Sequence, residues 1–184
     1  MFDATTGRMI DRRSAYISGM RFDGQVWFDF SEPAVWQFYR FVRALAEAGH
    51  EVALEWKPLP RDGEEAIAAT FLGLDEAHER GRFLHAAFGL VHGRHEDPTS
   101  SSTVEAALAA AGIDAIANPS QDRLDALRAE ASDLGVIAVP AMYRHGPVVR
   151  IELNGAATMG NVALRAETIL HMLDDDGIWG LTKP

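Results

Sequence analysis

The chain of 184 residues contains no cysteine. Disulfides, thiolate metal sites and thiol redox chemistry within the chain are therefore excluded. Basic residues are scarce: 17 Lys and Arg against 27 Asp and Glu leave a net charge of −10. With no basic stripe to follow a phosphate backbone, nucleic acid is not an expected partner. No apolar run approaches the length of a membrane span, so no membrane partner is expected. Residues 1–24, with Arg8, Arg12 and Arg13, lack an apolar stretch of signal-peptide length, and the protein is expected to be cytoplasmic. Phosphate-binding glycine loops, dinucleotide fingerprints and nucleophile elbows are missing as well, and so are internal repeats and low-complexity tracts.

What is present is ordered. The length suits one domain with a full core. Residues 1–24 show no period and read as a loose arm, one that could pack on a second copy in a homodimer. Gln25 to Phe30 is apolar on both faces, which predicts a central strand. A helix follows: Ser31 or Glu32 can cap it, Pro33 suits its first position, and Gly49 stops it. Trp36, Phe38, Tyr39, Val42 and Leu45 form its apolar stripe. The stretch from His50 to Leu59 alternates as a second strand that Pro58 and Pro60 end, giving a parallel βαβ unit.

From 61 to 132 the pattern is helical, an insertion or lid. Glu64 to Leu72 is a short helix that breaks near Gly73. Asp75 to His92 is a longer one facing inward through Phe83, Leu84, Ala87, Phe88 and Val91. Asp97 to Ser102 is a loop, and Ser102 to Glu105 fits a capping box ahead of Ala106 to Ala111. Asn118 and Pro119 start a helix that runs through Leu124 and Leu127 towards Leu134.

Two strands, Ala138 to Tyr143 and Val148 to Leu153, follow around a turn at His145 to Pro147, and Asn154-Gly155 marks another turn. Gly160 to Leu173 is a closing helix with Val162, Leu164, Ile169, Leu170 and Leu173 inward. Asp174 to Asp176 suit a tail turn better than a helix C-terminus, and Trp179 is expected to dock on the body.

Three stretches resemble one family. Phe28-Asp29-Phe30-Ser31-Glu32-Pro33-Ala34-Val35-Trp36 is similar to a pattern of Phe-Asp, two residues, then Cys-Pro-x-Cys-Trp. Trp56-Lys57-Pro58-Leu59 loosely resembles an Arg-Pro-x-Leu strand exit. Ala131 to Pro140 closely resembles a run of Ala, three residues, then Gly-Val-x-Gly-Val-Pro, with Ala138 for the second Gly. These are marks of the DsbA-like family. The resemblance implies an α/β thioredoxin-like fold with a helical insertion, residues 25–60 and 133–184 forming the thioredoxin-like domain and 61–132 the inserted subdomain. It also implies a cis peptide before Pro140. The C-terminal quarter, with Trp179 to Lys183, is similar to an actinobacterial subgroup that includes mycothiol-dependent nitroreductases.

The departure from the family lies where the chemistry should be. Glu32-Pro33-Ala34-Val35 stands in place of Cys-Pro-x-Cys, so the chain cannot by itself be a dithiol–disulfide oxidoreductase. The thiol-free relatives, 2-hydroxychromene-2-carboxylate isomerase and kappa-class glutathione transferases, carry Ser just before the Pro. Here Ser31 lies one residue early.

Glu32 can simply cap the helix, or it can act as the catalytic group, taking a proton or hydrogen bond from a ligand near Pro140. Ser31, Pro33, Trp36, Val139, Pro140 and His85 are the expected ligand-binding residues, with Trp36 either pocket wall or core and His85 reaching in from the lid. Trp27 reads as core. His78, His85 and His92 repeat every seven residues, about 10 Å per step by the helical rise, too far apart to share a metal. His92 and His95 with Glu96 read as a solvated helix end.

Two functions fit. The favoured one is a non-redox pseudo-oxidoreductase that binds a small-molecule or protein ligand in the cleft. The alternative is a transferase or isomerase that binds mycothiol or glutathione at the helix start.

Overall fold

The computed structural model describes residues 20–114, 119–153 and 162–174. The expected turn at Asn154-Gly155, the Asn118 cap, the tail turn beyond Asp174 and the docking of Trp179 lie outside the described residues, as does most of the N-terminal arm.

The elements are β1 (Arg21–Phe28), α1 (Pro33–Glu47), β2 (Glu51–Pro58), α2 (Glu65–Gly73), α3 (Ala77–Phe88), α4 (Ser101–Ala111), α5 (Gln121–Leu134), β3 (Ala141–Tyr143), β4 (Val149–Arg150) and α6 (Val162–Asp174). The strands form one mixed sheet in the order β2-β1-β3-β4. Parallel pairing joins β1 to β2, from Arg21↔Glu51 to Phe28↔Pro58, and antiparallel pairing joins β1 to β3 through Trp27↔Ala141. This is an α/β thioredoxin-like arrangement with helices inserted between β2 and β3.

Strand β1 begins four residues earlier than its apolar run suggests. Arg21 to Gly24 belong to the ladder because Glu51 to Leu54 offer them partners, so the expected arm boundary at 24 falls inside the strand. The strand also ends earlier, at Phe28, because Asp29 turns its carboxylate to the Glu32 N–H, 2.7 Å away, and opens the helix. Gly24 has φ +137°, and a Cβ there would lie 2.9 Å from the Tyr143 carbonyl. The last strands are shorter than expected. Ala138 to Pro140 bend before pairing starts, and only Ala141↔Arg150 and Met142↔Val149 pair in the final ladder.

Other boundaries move for local reasons. The cap of α4 is Ser100, whose hydroxyl accepts from Ser102 N–H, so the box at Ser102 to Glu105 lies inside the helix. Helix α5 starts only at Gln121, leaving Pro119 outside. After α3 the chain relaxes into a π-helical turn, Gly89–Gly93. In α6 the buried residues are Val162, Ala166, Ile169 and Leu173, while Leu164, expected inward, is 61% exposed. Arg144 binds Asp174, the last described residue of α6, at 2.9 Å.

Three apolar clusters form the interior. Phe28, Phe30, Val35 and Tyr39 join Ile67, Phe71, Phe83, Leu84 and Phe88 of the helical segment. Phe22, Val26, Phe38, Leu45 and Met142 pack on α6. Trp27, fully buried, packs with Ala131 of α5 and Ala141. Lys57, nearly buried on β2, is bound to Glu130 of α5 at 2.6 Å and ties the helix to the sheet. Among the described residues no helix is long and apolar enough to cross a membrane.

Candidate functional site

The end of β1 delivers Asp29 and Phe30 to the start of α1. Glu32 is the N-cap: its backbone is extended, its side chain accepts from Ala34 N–H at 3.4 Å, and Pro33 holds the first helical position. Arg61, which follows β2, closes the site. Its Nε lies 2.7 Å from Asp29 Oδ2, and its Nη2 donates to Glu32 Oε2. Glu64, buried at the start of α2, accepts from Phe30 N–H at 3.2 Å and from Arg61 N–H at 3.4 Å.

Two carboxylates, Asp29 and Glu32, thus share one guanidinium, and a third, Glu64, binds the main-chain N–H of the same residue. The Asp29 side chain is only 2% exposed, while Arg61 is 53% exposed. Burial pushes the Asp29 carboxyl up to about 6, with the negative Glu64 adding to the rise. The Glu32 N–H and the Arg61 guanidinium pull it back. The site therefore contains a carboxyl that exchanges a proton near neutral pH, beside a cation that solvent reaches.

The rim is aromatic. Trp36, half-buried one turn into α1, stacks on Tyr39 with planes 14° apart and ring centroids 5.9 Å apart. His92, at the π-helical turn, stacks on Trp36 too. Desolvation lowers the His92 pKa, against a pull the other way from its hydrogen bond with the Phe30 carbonyl. His92 is thus no solvated helix end: the π-helical turn carries it onto Trp36.

The Val139–Pro140 peptide is cis. Ala141 pairs with Trp27, so the antiparallel register sets Pro140 beside Phe28, at the strand end that leads to Glu32. Val139 packs against the cluster that contains Phe30 and Val35. Two residues before it, Ile137 is 97% exposed. His85 lines a cavity together with Trp36 and Tyr39. Its Nδ1 lies 3.1 Å from the Tyr39 hydroxyl and 3.4 Å from Arg43, farther along α1 from the Glu32 end.

Sequence reasoning named Glu32, Trp36 and Pro140 as site residues; it did not name Arg61, Glu64 or the ion pair of Asp29, which the structure brings to the same end of α1. The signal available for Asp29 was a charged residue directly after a buried strand. Nothing in the sequence pairs Arg61 with a carboxylate 32 positions earlier.

The positive end of α1 already receives Glu32, and a thiolate brought there would meet the carboxylates of Glu32 and Asp29 against a single guanidinium.

No protein-family model matches the sequence, and no curated protein matches it. Solved structures do match in fold. A periplasmic thioredoxin-like protein from Salmonella enterica serovar Typhimurium aligns at 17% identity with a TM-score of 0.59, covering 89% of this chain and 99% of that one. DsbL of the same organism aligns at 15% identity with a TM-score of 0.53, over 84% and 89% of the two chains. A putative protein disulfide isomerase from Nitrosomonas europaea aligns at 10% identity and a TM-score of 0.55, over 82% and 98%. The fold is thus that of DsbA-like thioredoxin proteins. In this chain it carries no cysteine.

Proposed function

We propose that this protein is a non-redox DsbA-like thioredoxin-fold protein, which binds a ligand at the rim formed by Glu32, Arg61, Trp36 and the Val139–Pro140 turn. One observation supports this above the rest. The place of a redox pair is taken by a closed charge cluster in which Glu32 caps α1 and Arg61 bridges it to Asp29. Such a cluster holds no electrons to exchange, but it presents a half-exposed guanidinium at the start of α1, a group that suits a ligand with a carboxylate.

A second reading, a transferase or isomerase that takes mycothiol or glutathione, is favoured by the Asp29 carboxyl alone. A group that titrates near neutral pH suits general acid–base work.

A thermal-shift screen against mycothiol, glutathione and aromatic carboxylic acids tests both, with Glu32→Gln and Arg61→Gln as controls. A ligand at this site raises Tm in the parent chain and loses its effect in both variants. If the stabilisation by such a ligand survives both substitutions unchanged, the site is elsewhere. Stabilisation by either thiol and not by the acids selects the second reading.

A further inference from the structure

Strand β2 is an edge. Among the described residues it pairs with β1 on one side and with nothing on the other. The parity of its hydrogen bonds shows which groups face outward. Glu51 N–H donates to Met20 O at 3.1 Å, and Leu59 N–H donates to Phe28 O at 2.6 Å. Odd-numbered positions thus address β1, and the alternation of a strand turns the N–H and C=O of Val52, Leu54 and Trp56 the other way. Pro58 has no N–H and ends the row.

These outward groups face a groove of about 900 Å³, not bulk solvent. One wall is α1, through Tyr39, Val42 and Ala46; the opposite wall is α5, through Ala126 and Leu127; α2 and α3 close the far end. Walls on both sides of a strand edge that is unpaired among the described residues make a slot for an extended chain, whose own N–H and C=O would continue the sheet.

The charge of the slot opposes that of the protein. Arg43, Lys57, Arg80 and Arg123 line it against Glu55 and Glu130, in a chain of net charge −10. Two of the cations have main-chain partners. Arg80 donates to the carbonyls of Leu74 and Asp75 at 2.8 and 3.1 Å, and Arg123 donates to the Leu72 carbonyl at 2.6 Å. Carbonyls satisfy their hydrogen bonds but carry no net charge, so both guanidinium charges remain to attract an anion.

We infer that the slot along β2 binds an extended acidic peptide by strand addition, its backbone on Val52, Leu54 and Trp56 and its carboxylates towards Arg80 and Arg123. This site is separate from the Glu32–Arg61 rim and does not rest on the function proposed for it.

The test uses the full chain and a labelled peptide of alternating valine and glutamate, read by fluorescence anisotropy. Three counterparts accompany it: one with lysine for glutamate, one N-methylated at every second residue, and free glutarate as a small dicarboxylate. Saturable binding of the acidic peptide is expected, weakened at least tenfold by lysine, abolished by N-methylation on the pairing edge, and not matched by glutarate. Arg80→Gln with Arg123→Gln, on the groove wall and clear of the core, lowers the affinity about tenfold, and Glu32→Gln leaves it unchanged. No binding up to about 1 mM, a limit of roughly 4 kcal/mol, overturns the proposal. So does binding that is indifferent to N-methylation, or competition by glutarate at equal concentration, which would mark a site for small acids.

Discussion

The imidazole of His92 lies flat on the indole of Trp36, ring centroids 5.7 Å apart and planes 7° from parallel. The pair joins the π-helical turn after α3 to the first turn of α1, so the inserted helices and the thioredoxin-like part meet at the rim of the charge cluster. Desolvation beneath this stack holds the His92 pKa below its ordinary value. In Trp36→Ala water reaches the ring, and the His92 pKa is expected to rise towards about 6.5. An NMR titration of the His92 ring protons checks this; an unmoved pKa would mean that Trp36 does not shield it.

Asp29 makes stability depend on pH. Its carboxyl titrates at about 6 when folded, against 3.8 for an unperturbed aspartate side chain. Between these values the folded chain holds a proton that the unfolded chain has released. Stability contributed by Asp29 therefore falls as pH rises through this window and is level above it. Two units correspond to at most about 3 kcal/mol for a group so buried. Urea unfolding from pH 4 to 7 is expected to show this decline, and Asp29→Asn to remove most of it.

Arg61→Gln leaves Asp29 and Glu32 without their cation. A loss of about 1–3 kcal/mol is expected at pH 7. The loss shrinks at pH 5, where Asp29 holds its proton. Parallel urea titrations at the two pH values measure both effects, and equal losses at both would disconnect Arg61 from the titration.

Phe28 is the centre of the aromatic cluster, edge-on to Phe30, Trp56 and Phe71 at centroid distances of 5.2, 5.6 and 5.6 Å. Phe28→Ala empties a site with no solvent access and is expected to cost about 3–5 kcal/mol in chemical denaturation. Ligand binding at Glu32 should weaken with it, since Phe28 also sets the strand end that positions the cap.

Two glycines should respond in opposite directions. Gly24→Ala meets both a positive φ and a carbonyl 2.9 Å away, and a loss of about 1–3 kcal/mol is expected. Gly81, inside α3, has open space at its Cβ position, and Gly81→Ala is expected to gain about 0.5–1 kcal/mol. Thermal unfolding of both variants reads the contrast.

What the sequence determined by itself was local. Pro33 after a capping residue, the apolar stripe of α1 and the prolines after β2 each act within a few residues, so the order of strands and helices could be read directly. The cis peptide before Pro140 was legible only through the resemblance of the run from Ala131 to Pro140 to a known family. The face of α6 was not: Leu164 and Ala166 both suit a helix, and only the space beneath α6 decided that Ala166 goes in. Only the tertiary structure decided the composition of the site. Asp29 lies more than 30 positions before Arg61 and Glu64, and burial of one carboxyl together with a bridging guanidinium arises only when the end of β1 meets the loop between β2 and α2. Neither the proton that Asp29 keeps nor the cation-lined slot along β2 is carried by any single stretch of chain, because both are sums of charge and desolvation over groups that folding brings together.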